Sequence, residues 1–288
     1  KYTKQNNIKF IVDVEDLWPE AMEMVSPFPN FINKVIFYTW RRDAKKAYSC
    51  ADAFVGTSDE YRDVPHKKYN IIGKPAITVY VGCDMDEFDA GVAEYQQDVE
   101  KNKDEFWITY AGNLGSSYDI PTFIKAMQII HEKQYTNVRA KILGGGPLEL
   151  EFKEIAGQKE CNVDFVGYTP YKKMAAYLYK SDVLINSFVK KAPQSIVTKI
   201  GDYLAAGKPM INTLSSPEFR KKVENDGFGM NVEAENEVLL AELIVEIYKE
   251  FNMLEKLGIN ARNICEIEFD RKTSYMKIVN LIDNLFEG

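Results

Sequence analysis

SFVKKAPQSIVTKIGDYLAAGKPMI, residues Ser187–Ile211, is the stretch that decides the fold. The apolar run before it, Asp182–Asn186, is short and branched enough to be a buried parallel strand. A polar loop follows, and Ser195 or Thr198 is placed to cap a helix running to about Ala206. Gly207 stops that helix, and Pro209–Asn212 opens the next strand. The unit reads strand, loop, helix, strand, with hydroxyls, free backbone N–H groups and Lys199 gathered at the helix start. Such a terminus suits an anion such as a diphosphate, and Asp202, nearly one turn on, is placed to accept from ribose hydroxyls. The plainer alternative is an ordinary crossover helix with Lys199 in solvent.

The same alternation extends outward from this unit. Strands are expected at Phe106–Tyr110, Val138–Leu143 and Val163–Val166, with helices at Ile120–Glu132, Leu148–Ala156 and Tyr171–Tyr179 between them. That order implies βαβ units and a parallel sheet. Farther on, a long helix over Leu239–Leu257 is expected to end at Gly258. A last helix over Arg271–Phe286 carries Tyr275, Ile278, Val279, Ile282 and Phe286 at helical spacing, as core packing would require. Upstream, Ala90–Glu105 is polar, lacks a periodic face and reads as a linker. Before it stand strands at Lys9–Val14, Ala53–Gly56 and Ile77–Val81, and a helix over Phe31–Cys50. That helix is aromatic and aliphatic first and basic later: it either packs on a core with its cations at the C-terminal dipole end or lies on an anionic membrane. The fold expected is α/β, with two doubly wound parallel-sheet domains and ligands at strand C-termini.

With 288 residues, 45% apolar and 27% charged, the chain has the composition of an ordinary globular protein. A net charge of −7 argues against a nucleic-acid partner, which needs a basic face. The four cysteines are far apart, and neither His66 nor His131 has a cysteine or carboxylate cluster, so no metal site is expected. No run approaches the length of a membrane-spanning helix. Cytoplasmic residence follows as an expectation, with peripheral contact at the inner face of a membrane as its variant.

Several ordered motifs resemble the retaining glycosyltransferases of the GT-B fold, family 4, in the branch that builds bacterial surface polysaccharides. Tyr203–Ile211 matches the end of that family's donor motif. Gln194 and Asp202 stand where it carries two glutamates, and Ser195–Lys199 resembles its Ser-Ile-Pro-Ser-Lys version. Asp13–Glu20 resembles its Asp-x-Arg-Asp-x-Trp-Pro-Glu segment, with Glu15 for Arg. Gly112-Asn113-Leu114 stands for Gly-Arg-Leu, Tyr118 for a lysine, Gly144–Pro147 for a glycine-rich turn, and Asn162–Tyr168 for the segment bordering the nucleobase.

The resemblance implies a metal-independent transfer from a UDP- or GDP-linked sugar to a glycan or lipid-linked acceptor, with no cofactor. The implied catalytic residues are Lys199 and Asp16, and the implied donor-binding residues are Gly112, Asn113, Tyr168, Gln194, Ser195, Thr198 and Asp202. The implied domains are an incomplete acceptor-side domain over 1–89, a linker over 90–105, a donor domain over 106–270 and a crossing-back helix over 271–288. By comparison with domain sizes, roughly a hundred residues of the first domain are expected to be absent. The alternatives are a nucleotide-sugar 2-epimerase of the same fold and a non-catalytic sugar-nucleotide-binding subunit.

Overall fold

The computed structural model describes residues 2–192, 194–250 and 252–287. They form two compact units: Lys1–Val81 together with Lys272–Gly288, and Gly82–Arg271.

The first unit is built on a three-stranded parallel sheet of β1 (Ile11–Val14), β2 (Ala53–Gly56) and β3 (Ala76–Thr78), in the order β1-β2-β3. Its central strand is apolar throughout because both faces are covered. Phe54 packs with Val14, Tyr48 and Tyr61 on one side. Ala53 and Val55 pack with Val79 and Leu281 on the other. Leu281 comes from the last helix, Met276–Glu287. The residues of that helix that pack are Ile278, Leu281 and Leu285, whereas Tyr275, Val279, Ile282 and Phe286 of the expected stripe are exposed. Most of the periodic set therefore does not serve the core.

The helix expected over Phe31–Cys50 is two helices, Asn30–Ile36 and Tyr38–Cys50, separated at Phe37. Asn33, Phe37 and Tyr48 form the buried line, while Phe31, Val35, Ile36, Tyr38 and Trp40 face solvent. Core packing thus claims the opposite face from the one bearing most of the large apolar side chains.

The second unit holds six parallel strands: β4 (Phe106–Ala111), β5 (Val138–Leu143), β6 (Val163–Gly167), β7 (Val183–Asn186), β8 (Met210–Asn212) and β9 (Gly229–Asn231). Their order is β6-β5-β4-β7-β8-β9, the doubly wound arrangement in which the chain moves outward from the middle in both directions. Ile108, Ile142, Val183, Ile185 and Ile211 carry the core against the Ile120–Glu132 and Glu237–Lys249 helices. Asn186, Asn212 and Asn231 stand in register on β7, β8 and β9. Asn186 donates to Asn212 at 2.9 Å and Asn212 donates to Asn231 at 2.8 Å.

Two expectations change here. Residues 90–105 begin inside a helix, Met85–Tyr95, that belongs to the second unit, which starts at Gly82. Phe88 of that helix is fully buried, and a Cβ on Gly91 would lie 2.6 Å from the Lys172 Cα. Of the stretch that read as a linker, residues 90–95 are the last turns of this packed helix, and residues 96–105 form turns and loop before β4. Gly258, in turn, does not end a helix. It lies inside Asn252–Ile264, where a Cβ would come within 2.4 Å of the Gly207 carbonyl oxygen. The glycine permits a close crossing, and the break falls instead after Lys249, where the helix Glu237–Lys249 ends.

Candidate functional site

β4 and β7 are neighbours, yet the chain leaves β4 toward β5 and leaves β7 toward β8, so their C-terminal ends part into a crevice. Their ladder holds only at Ile108–Val183 and Thr109–Leu184. Beyond it the buried Tyr203 hydroxyl fills the gap, accepting from the Ala111 N–H at 2.8 Å and lying 3.3 Å from the Ile185 carbonyl oxygen. A cavity of about 540 Å³ opens there, lined among others by Gly112, Tyr171, Thr198, Lys199, Asp202 and Arg271.

Lys199 is partly exposed as a residue, but its ammonium is shut from solvent and has no hydrogen-bond partner. It lies 4.3 Å from the ring centre of Tyr110, 4.7 Å from Tyr118, 4.9 Å from Phe188 and 5.8 Å from Tyr203. Ring faces attract a cation, yet they do not replace water. Burial therefore pulls its pKa down from 10.5 to about 7. The same kind of desolvation raises Asp202 to about 6, against the lowering effect of the Tyr171 hydroxyl, which donates to it at 2.8 Å. The two residues on this turn of chain are thus an ammonium and a carboxylate, each eased toward neutrality within the range where cells operate.

The helix start is not the array of donors that the sequence suggests. The helix is short, Lys199–Ala205, and Thr198 precedes it with helical dihedrals and no side-chain cap. The Ile200 and Gly201 N–H groups already bond to the Val197 and Thr198 carbonyls. Ser195 is buried with its hydroxyl 3.4 Å from that of Ser216, which caps the following helix. What the helix contributes is placement. Gly201 is pressed so tightly on the 82–83 backbone that a Cβ would sit 2.7 Å from the Gly82 carbonyl carbon.

A second hollow of about 290 Å³ adjoins the first through shared lining at Ala111, Gly112 and Met174, and adds Asn113, Gly144, Gly145 and Tyr168. Gly144 has φ +114° and a Cβ there would lie 1.9 Å from the Gly112 carbonyl oxygen, so only glycine fits. Tyr168, 86% exposed, stands open at the end of β6.

The structure therefore brings Thr198, Lys199, Asp202, Gly112, Asn113 and Tyr168 to two joined hollows, while Gln194 and Ser195 line neither. Asp16 is exposed and belongs to the first unit. Asp84 caps the Met85–Tyr95 helix by accepting from the Glu87 N–H at 3.0 Å. Sequence reasoning missed Tyr171, Arg271 and the ring cage. The available signal was the recurrence of aromatic residues at or just after strand ends, at Tyr110, Tyr118 and Phe188. A larger hollow of about 780 Å³, around Lys208 and Arg262, contains none of the predicted site residues.

Residues 92–264 match the family described as glycosyl transferases group 1. No curated protein matches the chain in sequence. Among solved structures, sucrose-phosphate synthase from Thermosynechococcus elongatus is similar at a TM-score of 0.74 and 19% identity, over 99% of this chain and 70% of that one. HepE of Anabaena in complex with UDP is similar at 0.73 and 14%, over 98% and 74%. WaaG, a glycosyltransferase involved in lipopolysaccharide biosynthesis, is similar at 0.70 and 13%, over 96% and 79%. At these identities the likeness establishes the fold, GT-B with its Rossmann-like parallel sheets.

Proposed function

The chain belongs to the group 1 glycosyl transferases, and from that premise we propose that it takes a sugar from a nucleoside diphosphate and delivers it, with retention, to a glycan or lipid-linked acceptor of surface-polysaccharide assembly. The observation that carries this reading is the unpartnered Lys199 ammonium beside a cavity at the point where the sheet order reverses. As the bond from the sugar C1 to the diphosphate oxygen breaks, negative charge grows on the leaving phosphate. A cation already desolvated is worth more against that charge than one in water. Asp202 accepts from the ribose hydroxyls, Tyr168 and Asn113 border the base-side hollow, and Asp16 acts on the acceptor side. The departing phosphate takes the acceptor proton, so the scheme needs no metal or cofactor. HepE was solved with UDP, and with UDP-glucose, which makes UDP the first nucleotide to try. The work is assigned to the cytoplasm. Among the described residues no helix is long and apolar enough to cross a membrane.

A second reading, a sugar-nucleotide-binding subunit without turnover, is favoured by Asn113 and Tyr118 standing where the resembled family has cations. The 2-epimerase reading has no such support. Calorimetry with UDP and GDP, beside donor-hydrolysis and transfer assays, separates them. Binding with transfer is expected. Binding without hydrolysis or transfer selects the subunit, and no binding of either nucleotide rejects the whole scheme.

A further inference from the structure

The hollow of about 780 Å³ around Lys208 lies wholly within the second unit. It takes in Asp182 and Pro209, which stand just before β7 and β8, whereas the cavity beside Lys199 opens past the other end of β7. Val92, Leu254 and Ile259, from the helices Met85–Tyr95 and Asn252–Ile264, give it an apolar wall. Most of its charges are already matched. Arg262 donates to both oxygens of Asp89, at 2.9 and 2.6 Å, and to the Ala205 carbonyl oxygen at 2.7 Å. Asp182 accepts from Lys101 at 2.5 Å and from the Trp107 N–H at 2.6 Å. Glu255 is exposed at the rim, where water serves it. One inner charge is left over. The Lys208 ammonium lies 5.4 Å from the ring centre of Tyr179, and among the described residues it has no hydrogen-bond or ion-pair partner. Burial holds its pKa below the usual lysine value, against the raising effect of Asp182. A cation partly stripped of water and given no partner carries an unmet cost that an incoming anion relieves.

We propose that this hollow binds an amphipathic monocarboxylate, with the carboxylate on Lys208 and the apolar body against Val92, Leu254 and Ile259. An apolar hollow of this volume with one placed charge has the form of a small-molecule site. A single free lysine meets a single negative charge. A nucleoside diphosphate brings more than that, and Asp89, Asp182 and Glu255 would face the excess, so the ligand belongs to a different class from a sugar nucleotide. The inference does not depend on the assignment of glycosyl transfer.

Titration of the full chain with octanoate, and with octylammonium of the same chain length, tests it by ligand-observed NMR. Octanoate is expected to bind and octylammonium is not. Lys208→Met is expected to weaken octanoate roughly tenfold or more, the usual worth of a hydrogen bond to a charged group. Ile259→Asp sets an acid on the apolar wall and is expected to weaken it as well. Lys199→Met is expected to leave octanoate binding unchanged, because Lys199 lines the other cavity. Melting curves identify any variant that fails to fold. Ile259 is 54% exposed, so Ile259→Asp carries the test if Lys208→Met does fail. Absence of octanoate binding, equal binding of octylammonium, or binding indifferent to Lys208→Met or Ile259→Asp overturns the proposal. So does loss of binding in Lys199→Met, because the occupied hollow would then be the one beside Lys199.

Discussion

The Lys199 ammonium lies 4.7 Å from the ring centre of Tyr118, the residue standing where the resembled family carries a lysine. A cation delivered from the loop after β7 thus reaches the neighbourhood of a position that has lost its own. If this is the charge that meets the leaving phosphate, Lys199→Met lowers turnover on the order of 100-fold or more. The melting temperature is expected to hold or rise, because methionine fills the ring cage without a buried charge. Steady-state rates and melting curves read the two effects, and native turnover in the variant removes Lys199 from the mechanism.

The lowered pKa of Lys199, about 7, has a defined pH signature. Between about 7 and 10.5 the unfolded chain holds this proton and the folded chain does not, so this group makes stability rise with pH across that window and level off below it. Bound diphosphate favours the cation. At a pH of about 8 nucleotide binding is therefore expected to take up as much as one proton, seen as a dependence of the calorimetric enthalpy on the buffer's ionisation heat. A buffer-independent enthalpy, or an uptake that persists in Lys199→Met, contradicts this.

Tyr171 should set the titration of Asp202. Its hydroxyl stabilises the carboxylate, so Tyr171→Phe is expected to move the Asp202 pKa up from about 6. Nucleotide binding should then weaken most between about pH 6 and 7, where the extra proton occupies the acceptor. Carbon-detected NMR of the carboxyl and binding measured against pH check both. An unchanged or lower pKa shows that the Tyr171 hydroxyl does not set the titration of Asp202.

Gly201→Ala places a methyl group against the backbone of residues 82–83. Overpacking of this kind costs about 1–3 kcal/mol, and relief by shifting the helix would displace Lys199 and Asp202. A lower melting temperature together with weaker nucleotide binding is expected. Full retention of both means that the segment yields freely.

Chelation is expected to leave transfer intact. Asp84 is engaged as a helix cap, and among the described residues no three His, Cys, Asp or Glu side chains gather to hold a metal ion. Loss of transfer in EDTA that manganese or magnesium restores would assign the donor charge to a metal.

Much of the second unit was legible because its signals are local: branched runs at Val183–Asn186 and Val138–Leu143, and Gly207 in the left-handed region after the Lys199–Ala205 helix. The cage around Lys199 was not, because Tyr110, Tyr118, Phe188 and Tyr203 meet only after the sheet is assembled. Composition misled at residues 90–95, where the end of a helix with one buried face reads as polar. Periodicity misled at Phe31–Tyr38, since an apolar stripe states that a face exists and not that the protein itself covers it. Gly258 shows the same limit for glycine, which serves a chain ending and a close crossing equally well.

The amide row of Asn186, Asn212 and Asn231 bears on how the sheet finds its alignment. β7 and β8 are short and mostly apolar, and two such parallel strands can slide by a pair of residues with little loss of hydrophobic contact. A slide of that size would separate amides that are buried on β7 and β8 and leave them unbonded, at about 1–3 kcal/mol for each group stranded. The row acts as a key that fits one alignment. It sits at the strand ends from which the chain departs toward Lys199, so the alignment it selects also fixes the point from which that loop is hung.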